Sequence, residues 1–435
     1  MNNTFSRRVV VVWLVVTALL TVSDHHHRWH RCMGEVVLAE DDAGAFHVNT
    51  SDPTTQPVLV NGLNMNRLFE TVAAHQSTLQ EHGAVAQAQQ RVIDAQERTI
   101  RLQQARVDAL RAEVCRASVR QDFGQFGVAG NKWVGGVLAR NGLIYAAPYN
   151  ADAVLIIDPS TTTADTTTIH EIGGGIHKWA GAVLAHNGLV YMFPASRAEV
   201  LVLNPETNAT DTTTLHSLGS SQYKWFSGMV ADNGLVFGVP YSATSVLIID
   251  PTTNATDIST LSGLPTDGQK WYNAVQAPNG LVYCVPSTAS FVLIIDPVSL
   301  RMDTTTIQGL GAGLYKWLGG VLAGNGRIYA IPARNATVLV IDPATNTTDA
   351  LVVAEQTTSA KGIGAVLAPN GNIIGIPHDA ASALIFDPRT NTTDTTSISA
   401  LAGTSRWFGG VLAGNGLIYG IPSFADHILV IDPGC

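Results

Sequence analysis

One pattern, written seven times, limits what this chain can fold into more than any other feature. Lys-Trp opens it at Lys132–Trp133, Lys178–Trp179, Lys224–Trp225, Lys270–Trp271 and Lys316–Trp317, and the last two copies open on Lys361–Gly362 and Arg406–Trp407. An Asn-Gly pair follows at Asn141, Asn187, Asn233, Asn279, Asn325, Asn370 and Asn415. Each copy closes on Asp-Pro, at Asp158, Asp250, Asp296, Asp342, Asp387 and Asp432, with Asn204 in the second copy. The period is 46 residues and falls to 45 for the last two intervals. A unit of that length cannot bury a core alone, so neighbouring units must stack and share one.

Each copy reads as four short strands. In the first, "GGVLA" runs into Asn-Gly, a strong hairpin signal. "LIYAAP" pairs back, and its proline marks a strand end. "AVLIIDP" is a continuous apolar run rich in branched residues, suited to burial on both faces. "ADTTTI" supplies a polar outer strand. The density of Gly, Pro and Thr excludes a helical repeat, and four strands in roughly 45 residues is the pattern of a propeller blade. The expected fold is an all-β, seven-bladed propeller of four-stranded blades, preceded by a long α-helical coiled-coil stalk.

The stretch "GGVLAGNGLIYGIPSFADHILVIDP", Gly409 to Pro433, resembles the blade repeat of the YVTN and NHL-type β-propellers. It shares their plan of a turn, an aromatic strand and a "VxVID"-like strand. The resemblance covers about residues 119–435, and the chain is also similar to uncharacterised repetitive surface proteins of protists. The Lys-Trp pair departs from the generic pattern. The resemblance implies a fold, whereas such propellers serve as scaffolds, receptors, adhesins and occasionally enzymes.

The seventh copy ends after its third strand. Counting back from Trp133 as from the other tryptophans puts Val119, opening "VRQDFGQF", where an outer strand should begin, so this segment is expected to complete the last blade. The same counting maps both Cys115 and Cys435 onto the position of Thr161 in the first copy. Two residues at one template position must lie side by side, and a Cys115–Cys435 disulfide is expected. Cys284 falls within a second strand and reads as a buried free thiol. Cys32 is either lost with a late-cleaved signal or available to link stalks.

Before the repeat, Arg7 and Arg8 precede an apolar run from Val9 to Val22. Residues 1–23 read as a signal peptide or signal-anchor, the run being short for a spanning helix. Either places the rest in the secretory pathway, as a type II surface protein or a secreted one. Residues 24–62 read as a flexible linker, with His25, His26, His27 and His30 solvated rather than metal-bound. In residues 63–116 the column Val72, Leu79, Ala86, Ile93, Ile100, Val107 and Val114 recurs every seven residues. A more polar column, Leu68, His75, His82, Gln89, Gln96, Gln103 and Leu110, keeps pace with it. This is the pattern of a parallel oligomeric coiled coil, or else of one long helix lying on another domain. Residues 117–435 are the propeller.

Charged residues are 14% of the chain and the formal net charge is -9. An acidic balance argues against nucleic acid as a partner. Sequons occur at Asn49, Asn208, Asn254, Asn335, Asn346 and Asn391. Four of them, Asn208, Asn254, Asn346 and Asn391, fall in the turn between third and fourth strands, the pole at which Cys115 brings in the stalk. The opposite, distal pole carries the starts of the innermost strands. There Lys132, Lys178, Lys224, Lys270, Lys316, Lys361 and Arg406 are expected to ring the channel mouth, with Trp133, Trp179, Trp225, Trp271, Trp317 and Trp407 beside them. Such a ring would focus positive potential on an anionic glycan or protein ligand. The structural alternative is that the tryptophans pack between blades and the lysines stack over them.

No catalytic signature is present, and no metal or cofactor is expected. "GLGAGL" at Gly309 to Leu314 lies in a blade-connecting loop, not between strand and helix, so it is no nucleotide site. The repeated Asp-Pro carboxylates read as turn caps. Two functions remain. One is a non-enzymatic surface or secreted binding protein, oligomeric through its stalk and with a possible membrane anchor. The other is an extracellular propeller hydrolase or lactonase.

Overall fold

Each Asn-Gly pair closes a hairpin in the manner its chemistry dictates. Gly142 takes φ +83°, and the Asn141 side chain caps the turn by accepting the Leu143 amide at 3.1 Å. The computed structural model describes residues 36–40, 46–50, 59–60, 63–127, 129–353, 362–399, 401 and 406–435. Two units divide the chain between Gln104 and Ala105. The signal segment, Cys32, the His25–His30 cluster and Lys361 lie outside the described residues.

The second unit is a seven-bladed propeller. Blade one is Trp133–Leu138, Ile144–Pro148, Leu155–Asp158 and Thr163–Asp165, paired antiparallel in that order. Five further blades repeat it. The seventh joins Trp407–Leu412, Ile418–Pro422 and Ile428–Asp432 to Ser118–Phe123, which comes from the other end of the repeat. Ile431 pairs with Val119 and Asp432 with Ser118, so the ring closes on a strand borrowed from before the first copy. Cys115 and Cys435 form a disulfide beside this joint, with Cα atoms 4.7 Å apart and 320 residues between them in sequence. Gly434 at φ +76° lies against the Cys115 carbonyl, where any side chain would collide.

The blades share their cores, as a 46-residue repeat must. Trp133 is buried with Ile144 and Ile157 of its own blade and with Tyr419 and Ile421 of blade seven. Its indole donates to the Ala153 carbonyl at 2.8 Å, and Trp179, Trp225, Trp271, Trp317 and Trp407 repeat that bond twenty residues on. Just past the tryptophan the inner strand shifts register against the second strand. The shift sends the tryptophan between blades and the next residue toward the axis. The inner strands also crowd one another. At Gly181, φ +62°, a Cβ would stand 2.8 Å from the Phe226 carbonyl of the next blade. Only glycine accepts both that conformation and that approach. Cys284 is fully buried in a second strand as a free thiol, and burial pushes its pKa up.

In the first unit, Val36–Glu40 pairs with Phe46–Thr50, and Leu59–Val60 with Leu63–Asn64. The segment expected to be a flexible linker therefore contains paired strands, "VVLAE" and "FHVNT", both favoured by β-branched residues. Asn49 lies in the second of them. The helix Met65–Val114 begins here, with Asn64 Oδ1 accepting the Arg67 amide at 3.2 Å as its N-cap. It is one helix in the single chain. Along it Val72, Leu79, Ile93, Ile100 and Val107 are solvent-exposed, Ile100 by 63%. No helix among the described residues is long and apolar enough to cross a membrane.

Candidate functional site

The residues that open each repeat do not sit where the sequence placed them. Lys132, Lys178, Lys224, Lys270, Lys316 and Arg406 do recur around the ring, but each is at most 5% exposed. Their charged ends turn from the channel into the seams between blades. Lys178 Nζ donates to the Ala151 carbonyl of blade one at 2.7 Å. Lys224 Nζ donates to Arg197 O at 2.7 Å and Ser221 O at 3.0 Å. Lys316 Nζ donates to Ala289 O at 2.7 Å, Lys132 Nζ to Gly127 O and Ala129 O, Lys270 Nζ to Asp267 O, and the Arg406 guanidinium to Ala380 O. Burial brings Lys132, Lys224, Lys270 and Lys316 down to about 8. The ammonium groups of Lys224, Lys270 and Lys316 stand 5.7–5.8 Å from the following tryptophan's ring centre. These cations tie loop carbonyls together between blades. They do not crown the mouth, because loop carbonyls within the seams accept from their charged ends.

What the mouth carries instead is an aromatic basin. It has a volume of about 500 Å³ and is built at the Lys-Trp pole from four columns of the repeat, one of which, two residues past the second-strand proline, gives Arg334, Asp379 and Phe424. The residue after the tryptophan position supplies the floor, with Phe226, Tyr272, Leu318, Ile363 and Phe408 buried or half-buried around the axis. Tyr272 and Phe408 belong to blades four and seven, and their rings lie 5.9 Å apart, so the cluster closes the channel. The residue after the second-strand proline supplies the wall: Tyr149, Tyr241 and His378. Phe226 stacks on Tyr241 at 4.4 Å and meets Tyr149 edge-on at 5.6 Å. The residue before the lysine supplies the rim, with Asn131, Tyr223, Gln269 and Tyr315.

The polar groups of the basin are mostly neutral. Burial raises the pKa of Tyr149, Tyr241 and Tyr272 and lowers that of His177 and His378. His177 Nδ1 lies 3.2 Å from the Tyr223 hydroxyl, its ring between those of Tyr149 and Tyr223. His378 Nδ1 lies 3.2 Å from the Asp379 carboxylate. Arg334 spreads over the Tyr315 ring at 5.0 Å, and with Asp379 it gives the lining one charge of each sign.

The rim is held in a conformation that its residues disfavour. Asn131, His177, Tyr223, Gln269 and Tyr315 all have φ between +54° and +64°. Asparagine takes left-handed backbone readily, whereas bulky side chains there cost roughly 1–2 kcal/mol each. Strain of this kind collects where a side chain is needed at one place.

The basin is hidden in the sequence because the residues that recur are not the ones that line it. The columns that build it are those that differ from copy to copy. After the tryptophan position stand Val134, Ala180, Phe226, Tyr272, Leu318, Ile363 and Phe408, and after the proline Tyr149, Ala195, Tyr241, Ser287, Ala333, His378 and Ser423. Variation between copies at fixed columns of a constant repeat was the available signal.

The opposite pole is uniform. Asn141 Nδ2 reaches the Pro205 carbonyl of the next blade at 3.0 Å, and Asn187, Asn233, Asn279, Asn370 and Asn415 make the same reach. The Asn-Gly residue is thus a stitch between blades as well as a turn former. Asp158 and its equivalents cap their turns, as Asp158 Oδ1 does by accepting the Ser160 amide at 2.8 Å. Asn208, Asn254, Asn346 and Asn391 each occupy the left-handed position of the third hairpin, φ +53° to +58°. Asn335 lies in the loop between the second and third strands of its blade.

No family model matches the chain, and no curated protein matches it in sequence. Solved structures do resemble it in fold. A streptogramin B lyase superposes with a TM-score of 0.57 at 9% identity, covering 73% of this chain and 98% of that one. A catalytically inactive histidine-to-alanine variant of virginiamycin B lyase from Staphylococcus aureus, with quinupristin, gives 0.59 at 9% identity over 72% and 99%. The extracellular domain of a proposed one component system from B. thetaiotaomicron gives 0.53 at 9% identity, over 72% of this chain and 40% of that one. The neighbours thus include an enzyme and the extracellular domain of a one component system, and what they share with this chain is the propeller.

Proposed function

We propose that this chain is an extracellular binding protein whose glycan or protein ligand seats in the aromatic basin of the Lys-Trp pole. The observation that carries this is the conflict at the rim, where Tyr223, Gln269 and Tyr315 occupy left-handed backbone that asparagine or glycine would fill at less cost. A concave site with many aromatic groups and a few convergent polar ones is the usual form of a small-ligand pocket. The Cys115–Cys435 disulfide accords with an oxidising compartment, hence a secreted or cell-surface location.

Around that site the remaining roles are also proposals. The exposed heptad column of the helix is the seam of a homo-oligomeric stalk, which would make binding multivalent. Ile93→Lys with Ile100→Lys should then shift the purified chain to monomer in sedimentation. Asn208, Asn254, Asn346 and Asn391 carry N-glycans at the pole away from the basin, checked by the mass lost on enzymatic deglycosylation.

The binding test uses the full chain against arrayed glycans and surface proteins, with Tyr315→Ala and Phe424→Ala as basin variants. Loss of binding at an unchanged melting temperature is expected. A ligand held equally by both variants overturns the assignment of the site. An enzymatic reading, as a propeller hydrolase or lactonase, has one observation in its favour: the His378–Asp379 pair at 3.2 Å within the basin. It predicts lactone or ester turnover that His378→Ala abolishes.

A further inference from the structure

We infer that the basin takes an uncharged hexopyranose unit of a glycan, a deepening that rests on the binding role proposed above. A pyranose ring has an apolar face of C–H groups and an equator of hydroxyls that each donate and accept. Its site therefore needs flat apolar surface beside neutral groups of both polarities, and little net charge. The basin meets each requirement. Phe424, exposed by 36%, and the half-buried Phe408 and Tyr223 offer ring surface around one opening. Asn131 and Gln269 stand on the same rim, and an amide side chain both donates and accepts. The described lining contributes one cation, Arg334, and one anion, Asp379.

The withdrawn lysines decide between a neutral and an acidic sugar. Six cations at the same pole are engaged with backbone carbonyls, and none of the six lines the basin. Among the described residues, a sulfated or sialylated ligand would meet no cluster of free positive charge there. Buried tyrosines in place of exposed lysines suit a ligand recognised by stacking and hydrogen bonds rather than by field. A quaternary ammonium ligand would also be drawn to aromatic faces, but Arg334 already covers Tyr315 as a resident cation.

The test presents the full chain to an array holding neutral hexose-terminated glycans, acidic glycans and surface proteins, at low and physiological salt. Two glycine variants accompany it, Gln269→Gly and Tyr315→Gly. Both remove a rim side chain while relieving left-handed backbone, so neither should fail to fold. Binding to neutral hexose termini that is indifferent to salt, and weakened on the order of tenfold or more by each variant, is the expected result. Salt-sensitive binding to acidic glycans, or to a protein alone, that the variants still abolish overturns the neutral-sugar assignment and leaves the binding basin intact. Binding unaffected by either variant, or none to any arrayed ligand, overturns both.

Discussion

The two poles of the propeller use the same unusual backbone and fill it by opposite rules. At the Asn-Gly pole the left-handed position of the third hairpin is Thr162, Asn208, Asn254, Leu300, Asn346 and Asn391, with φ from +50° to +58°. Four of these six are asparagine, the residue besides glycine that tolerates the conformation best. At the Lys-Trp pole the left-handed position of the rim is Asn131, His177, Tyr223, Gln269 and Tyr315. One of those five is asparagine. Where the residue follows the backbone, the position serves the fold, and where it opposes the backbone, the side chain itself is needed. The same contrast runs through the seams. Asparagines stitch one pole through neutral amides, and buried lysines stitch the other at a cost in desolvation.

The largest expected effect tests the ring that holds both poles together. Cys115→Ala opens a 320-residue loop, and in the chain-entropy model the disulfide contributes about 5 kcal/mol. A fall in the denaturant midpoint of that order is expected. A change under about 1 kcal/mol would mean that the Ser118–Phe123 strand closes the ring unaided.

Next comes the clasp. Lys224→Ala leaves the Arg197 and Ser221 carbonyls without their donor and should cost about 2–3 kcal/mol in chemical denaturation. If the lysines instead served an anionic ligand, this variant would lose binding and keep its stability.

The sharpest pair is smaller. Thr162→Asn should stabilise the Asn-Gly pole by about 1 kcal/mol through relief of left-handed strain, with binding unchanged. Gln269→Gly should raise the melting temperature comparably while weakening the ligand. If both variants stabilise and neither affects binding, the poles do not differ in purpose.

Solution pH also separates the poles. Lys132, Lys224, Lys270 and Lys316 sit near 8 in the fold against 10.5 for the free side chain. Between those values the unfolded chain binds more protons, so stability should rise as pH climbs from about 8. The gain should end near pH 10, where unfolded tyrosines ionise and the buried Tyr149, Tyr241 and Tyr272 do not. On the acid side, the Thr252 hydroxyl and amide hold Asp250, at the Asn-Gly pole, at about 2 against 3.8. Its contribution is present above 3.8 and lost as pH falls toward 2. Lys224→Met should flatten the alkaline limb of a urea-midpoint profile and leave the acid limb as it was.

The seven blades, their four strands, the borrowed outer strand and the cysteine bridge could all be read from one chain. Each rests on spacing, and spacing survives whatever the side chains do. Val119 and Cys115 could be placed by counting because every copy keeps the same distances. What counting could not supply was direction. Lys178 is polar and opens an innermost strand, so by pattern it belongs at the mouth. The Ala151 carbonyl and the Asp152 carboxylate of the neighbouring blade draw it into a seam instead. Both are contacts between segments that no single repeat contains.

The basin shows the same division. Its members are scattered from Asn131 to Phe424, at columns of the repeat whose residues differ from copy to copy. They become one surface only when closure brings Tyr272 of blade four against Phe408 of blade seven. The sequence by itself determined the architecture, since periodic local signals sum into a single ring. Tertiary structure decided which side chains meet solvent and a ligand, since burial and charge depend on the blade next door.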